Sequence, residues 1–239
     1  MPSEDEDKPS VEMSSYMNPL RLFQAEGAIA EKIFGEFSSD FLIKWLCNDA
    51  TDEVLENVKN RYMRATSLDG KLFLFPANER LMDAILFPLF QSKCALMLGH
   101  WGSAIAGSGL VGEMLATVRF EAENVANDNP LQSAKGQKQL FGRSFDRLPQ
   151  WRRVELLKYF KLIEPSTARI FVDLAQIRNR YLHSYSEDRS DSSEDAFRAY
   201  EWAVRLTMEV LGLQIVKNRA FINPDILAYI KRSTEESDD

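Results

Sequence analysis

Arg178 and His183 stand five residues apart in the run Ile177-Arg-Asn-Arg-Tyr-Leu-His-Ser-Tyr185. Arginine is a permanent cation whose planar fork of donors fits phosphate. Histidine is the side chain best suited to moving a proton near neutral pH. Asn179 beside the arginine and Tyr185 two past the histidine add hydrogen-bonding groups. Together these types could hold a phosphodiester and cleave it without a metal. The chain has only two histidines, His100 and His183, so the placement of this one matters.

The elements that must position these groups read as helices. Pro165-Ser-Thr starts the motif helix, and Ile170, Leu174, Ile177 and Tyr181 repeat at helical spacing as its buried stripe. Upstream, Asn18-Pro19 opens a helix to about residue 37. A short helix over residues 41–46 follows. Thr51-Asp52 caps a third, which ends near Ser67-Leu-Asp-Gly70. The stretch 71–76 suits a short strand or an extended crossing. Asn78 caps a longer helix to about Leu98, and Gly99 punctuates it. Residues 101–120 place Gly, Ala and Ser every three to five positions. Glycines weaken an isolated helix, so this one is expected to be central, with a neighbour packed closely against it. Residues 131–148 read as an irregular connector. A helix over about 149–161 leads to the motif helix. Another follows over 194–213, and Asn223-Pro224 opens a last short one. Strand signals are nearly absent. The predicted fold class is all-α, an antiparallel helical bundle with additional N-terminal helices. The expected divisions are a disordered acidic start (1–17), a helical extension (18–77), the main helical domain (78–232) and an acidic tail (233–239).

Helical geometry tests the motif. At 100° per residue, Arg178 and His183 lie about 140° apart. Arg178 and Tyr185 are about 20° apart, and Asn179 and His183 about 40°. Arg178 and His183 therefore do not share one face. Either the helix unwinds near His183, or a second subunit completes the site. The plain structural alternative is a pair of cations favoured by the helix C-terminal dipole.

The bulk composition is that of a globular protein, with 45% hydrophobic and 27% charged residues. The net charge is −7, which at first opposes a nucleic-acid substrate. Residues 1–12, 186–195 and 233–239 each carry −4, so the rest of the chain carries +5. Charge therefore does not exclude RNA. The acidic loop 186–195 directly follows the motif and is placed to gate it. Nothing resembles a signal peptide. The most apolar run, Leu81 to Leu98, is interrupted by Asp83, Pro88 and Lys93, so no membrane span is expected. Cys47 and Cys94 lack metal-ligand spacing and read as reduced core residues of a cytoplasmic protein. No phosphate-binding glycine loop or nucleophile elbow is present, and no cofactor is expected.

Residues 131–161 hold eight Lys or Arg against Asp146 and Glu155, with aromatic residues interleaved. Arg147, Arg152, Arg153 and Lys158 are the expected RNA-approach residues, since cations track a phosphate backbone and aromatics stack bases. The alternative is a solvated basic face over core aromatics. Glu113, among apolar neighbours in the small-residue helix, could pair with Arg178 or orient His183. It could equally sit at an exposed helix edge.

The pattern Arg-Asn-x-x-x-His-x-Tyr (178–185), after the segment Gly-His-Trp-x-Ser-Ala-Ile-Ala…Gly-Glu-Met-Leu (99–115), resembles the HEPN superfamily. These are α-helical domains of many prokaryotic ribonuclease toxins and defence proteins. The likeness covers roughly residues 78–232. It implies a metal-independent endoribonuclease, in which the 2′-hydroxyl attacks the adjacent phosphate to leave a cyclic phosphate. His183 would be general acid or base, Arg178 would stabilise phosphoryl charge, and Asn179 would orient the phosphate or the histidine. Tyr185 would support the site or be a modification target. The implied partners are RNA, a second copy of the chain across a composite site, and an antitoxin or regulatory protein. Many members are thought to be non-catalytic, so a helical interaction or regulatory module is the competing expectation.

Overall fold

Eight helices pack into a bundle in the computed structural model, which describes residues 13–14, 52–72, 75–126, 133–183, 192–216 and 219–235. In chain order they are α1 (Asp52–Asp69), α2 (Glu79–Leu98), α3 (Trp101–Ala126), α4 (Ala134–Phe141), α5 (Gln150–Tyr159), α6 (Pro165–His183), α7 (Ser192–Leu211) and α8 (Pro224–Glu235). Two short antiparallel ladders accompany them. One pairs β1 (Met13–Ser14) with β2 (Phe75–Pro76), and the other pairs β3 (Gln214–Val216) with β4 (Arg219–Phe221). The helices expected over 18–37 and 41–46 lie outside the described residues, as do Cys47 and Tyr185.

The long α3 is the axis of the bundle, with α2, α6, α7 and α8 laid against it. Its small residues explain how. A methyl group at Gly112 would lie 3.0 Å from Cδ2 of Leu174, and one at Gly107 would lie 3.2 Å from Cβ of Ser92. Removing those methyls lets α6 and α2 approach on two sides. The α6 stripe Ile170, Leu174, Ile177 and Tyr181 is buried, as its period requires.

Helix α2 crosses Pro88 without breaking. Proline has no N–H to donate to the preceding turn. Just before it, residues Met82–Leu86 widen to a π turn, closed by Phe87 N–H donating to the Met82 carbonyl. The helix expected from Asn78 to about Leu98 thus runs through Asp83, Pro88 and Lys93, and by length and composition it could pass for a membrane span. Here it packs in the bundle, with Leu81, Ile85, Leu86, Leu89 and Leu96 fully buried. Asn78 caps it by accepting from Leu81 N–H at 3.1 Å. Gly99 ends it in the left-handed region at φ 77°. A methyl there would be strained and would also lie 2.8 Å from Nη1 of Arg61. Gly99→Ala is expected to lower unfolding free energy by about 1–2 kcal/mol. The check is a lower urea midpoint at unchanged slope.

Helix α1 belongs to the same core. Ala65, Leu72 and Phe75 are buried in one cluster with residues of α2, α3 and α7. The boundary expected between 77 and 78 therefore does not separate two cores. Arg64 of α1 reaches α7, where it donates to both oxygens of Glu194 at 2.7 and 2.6 Å and lies 3.9 Å from the Phe197 ring centroid. That hydrogen bonding holds the Glu194 carboxyl below its usual range. Deeper, Lys93 Nζ meets Asp69 Oδ2 at 2.6 Å, and the Tyr200 hydroxyl donates to the same oxygen at 2.5 Å. The Tyr62 ring sits 5.6 Å from the ammonium. Burial, then the Asp69 charge, pushes the Tyr200 phenol well above its usual pKa. Cys94, next to Lys93, is a half-buried free thiol whose pKa is raised by burial.

Three segments differ from expectation. Residues 131–148 are not irregular throughout, since Ser133 caps α4 by accepting from Gly136 N–H. The β3–β4 hairpin carries no strong strand signal. The acidic stretch 186–195 is not all loop, because Ser192–Asp195 form the first turn of α7. Acidic residues belong there, at the positive end of a helix dipole. Asp195 is buried, accepting from Arg180 at 3.0 Å and from the Tyr181 hydroxyl at 3.1 Å. Those two bonds tie the end of α6 to the start of α7.

Candidate active-site cleft

Arg178 is delivered to the surface by a missing side chain. A methyl group at Gly109 of α3 would lie 2.4 Å from Cδ of Arg178 and 2.8 Å from its Cγ. The arginine stem runs through that space. At its end Nη1 donates to Glu113 Oε1, one helical turn along α3. The Nε and Nη2 atoms converge on Asn179 Oδ1 at 3.3 and 3.1 Å. Arg178 and Glu113 keep 19% and 23% of their side chains exposed, so the pair is partly desolvated yet open to the solvent. Of the two roles expected for Glu113, the structure shows the pairing with Arg178.

The pair lines a cleft of about 490 Å³ between α3, α5 and α6. Leu148, Val154 and Phe171 form apolar walls, and Gln150 and Trp151 bring the start of α5 to it. The Gln150 amide donates to the Gly112 carbonyl at 3.4 Å, and its buried Oε1 has no partner among the described residues. The charged residues lining the cleft are Glu113, Arg153 and Arg178, a net charge of +1.

Arg153 departs from expectation. Rather than standing on an approach surface, it is 7% exposed. Its Nε donates to the Leu148 carbonyl at 2.9 Å, and its Nη1 to the Glu113 carbonyl at 3.3 Å and Thr117 Oγ1 at 3.4 Å. Burial lowers its pKa, the Glu113 charge opposes that, and the Arg178 charge adds to it. Its work is to pin α5 to α3. Arg147, Arg152 and Lys158 are exposed, the last paired with Glu155 at 3.1 Å. The interleaved aromatics divide. Phe141 and Phe145 are core, and Phe145 stacks on Phe120 with centroids 4.0 Å apart, whereas Trp151, Tyr159 and Phe160 are exposed.

The motif helix continues unbroken to His183. The backbone is thus helical from Arg178 through His183, and the residues directly after it lie outside the described ones. The His183 side chain and Tyr185 lie outside the described residues. The structure thus brings together Arg178, Asn179, Glu113 and the buried Arg153 among the expected site residues, and adds Gln150 and Trp151. An aromatic next to Arg152-Arg153 was visible in the sequence, but its place at this cleft was not. Comparisons with protein-family models, with curated proteins and with solved structures each found no match.

Proposed function

We propose that the chain is a metal-independent endoribonuclease of the HEPN type, working as a homodimer in a toxin or defence role. The observation that carries this reading is Arg178, brought past Gly109 into a cleft of net positive charge and fixed by Glu113 and Asn179. A guanidinium so held is suited to a phosphoryl group whose charge grows in the transition state. In the reaction, the 2′-hydroxyl oxygen attacks the adjacent phosphorus as its proton leaves to a base. The 5′-oxygen departs and takes a proton, leaving a 2′,3′-cyclic phosphate. His183 supplies the proton transfer. At 100° per residue, positions 178 and 183 of one α6 lie about 140° apart around the helix. A site built from Arg178 of one copy and His183 of another reconciles that angle with joint action.

A second reading is a non-catalytic interaction or regulatory module. The satisfied Arg178–Glu113 pair favours it, because a phosphate must displace that carboxylate. The experiment is RNA cleavage in EDTA by the native chain, Arg178→Ala and His183→Ala. The enzyme reading expects cyclic-phosphate products from the native chain and at least a 100-fold loss in each variant, on the order of that for removing one transition-state donor. Equal background cleavage by all three would sink it.

A further inference from the structure

We propose that the Arg178 cleft is a nucleotide subsite for single-stranded RNA, with Trp151 as the platform on which one base stacks. This rests on the ribonuclease reading for the choice of RNA, and goes beyond it in naming a recognition residue outside the motif.

Trp151 is 66% exposed at the start of α5, while Trp101 and Trp202 are half-buried. So large an exposed aromatic face is available to stack on a flat ligand. Trp151 lines the same cleft as Arg178 and Asn179. A cleft of about 490 Å³ is of the size that takes small ligands, roughly 300–1,000 Å³. The three kinds of surface a nucleotide needs are therefore adjoining. Arg178 meets the phosphate. Asn179 is exposed, with its Oδ1 used by Arg178 and its amide N–H groups making no hydrogen bond among the described residues, so they can donate to a base edge. Trp151 offers the flat apolar face. Arg152, exposed beside it, continues the positive charge along the strand. A duplex cannot use this site, since its bases already stack on one another.

The test is binding of a fluorescein-labelled, fully 2′-O-methylated RNA 12-mer, which lacks the attacking hydroxyl and cannot be cleaved by that route. Base–aromatic stacking is worth about 1–3 kcal/mol per base, so Trp151→Ala should weaken binding about 5- to 150-fold. Trp151→Phe should stay within about 3-fold of the native chain. The same sequence annealed as a duplex should bind with no dependence on residue 151. An unchanged affinity in Trp151→Ala, equal loss in duplex binding, or no binding by the native chain would each overturn the subsite. Sedimentation that showed Trp151→Ala breaking self-association at unchanged RNA affinity would assign the ring to a protein contact instead. A Trp151-dependent affinity in a chain that cleaves no RNA would keep the subsite and reject the enzyme.

Discussion

Lys93→Met is expected to cost about 3–5 kcal/mol of folding stability, the usual result of removing one partner of a buried ion pair. Lys93 is 1% exposed and Asp69 4%. Methionine fills nearly the same space, so the loss is electrostatic rather than a cavity effect. The Asp69 carboxylate would keep the Tyr200 hydroxyl as a donor but lose its only cation among the described residues. A charge left in that position is nearly cut off from solvent and has no counter-ion among the described residues. The compensated double variant, Lys93→Met with Asp69→Asn, should recover most of the deficit. It leaves no ion at this position and still offers Tyr200 an acceptor. Urea midpoints of the native chain and both variants measure this. A Lys93→Met midpoint equal to the native one would mean that the pair does not hold α1 to α2.

Gly109→Ala is expected to act on Arg178 more than on the fold. Alanine is favoured over glycine within a helix by about 1 kcal/mol. Against that, the new methyl lies 2.4 Å from Arg178 Cδ, and overpacking costs about 1–3 kcal/mol. The two terms largely cancel, so stability should change by less than about 2 kcal/mol. The arginine stem, however, must leave its channel, and the Glu113 contact goes with it. On the ribonuclease reading, cleavage should fall to the level of Arg178→Ala, a loss on the order of 10²- to 10³-fold. The double variant Gly109→Ala with Arg178→Ala should be no worse than either alone, because both remove the same group. Gly109→Ala cleaving at the native rate would show that the position of Arg178 in this cleft is irrelevant to activity.

What could be read in advance follows from distance along the chain. The α6 stripe, the Asn78 cap and the glycine end of α2 are patterns within a few residues, and the structure has all three. Lys93 looked like an interruption because its partner Asp69 lies on another helix and no local spacing announces it. The Glu113–Arg178 pair spans 65 positions, so the sequence offered the pairing only as one of several options. Arg153 and Trp151 sit two residues apart in one basic, aromatic stretch, yet one is buried and the other exposed. Their fates depend on which way α5 faces when it docks on α3, and the short helix has too weak a period to show that. The helix through Pro88 is expected from the Asn78 cap and Gly99 end, but the π turn over Met82–Leu86 has no local spacing that announces it.

The channel at Gly109 has one more consequence. The channel exists because atoms are missing from α3, and so its tolerance is one-sided. A chain carrying the whole Arg-Asn-x-x-x-His-x-Tyr pattern, but any larger residue at position 109, would have the motif without the site. On the ribonuclease reading, a small residue facing the arginine stem is therefore as much a requirement of the pattern as the arginine itself.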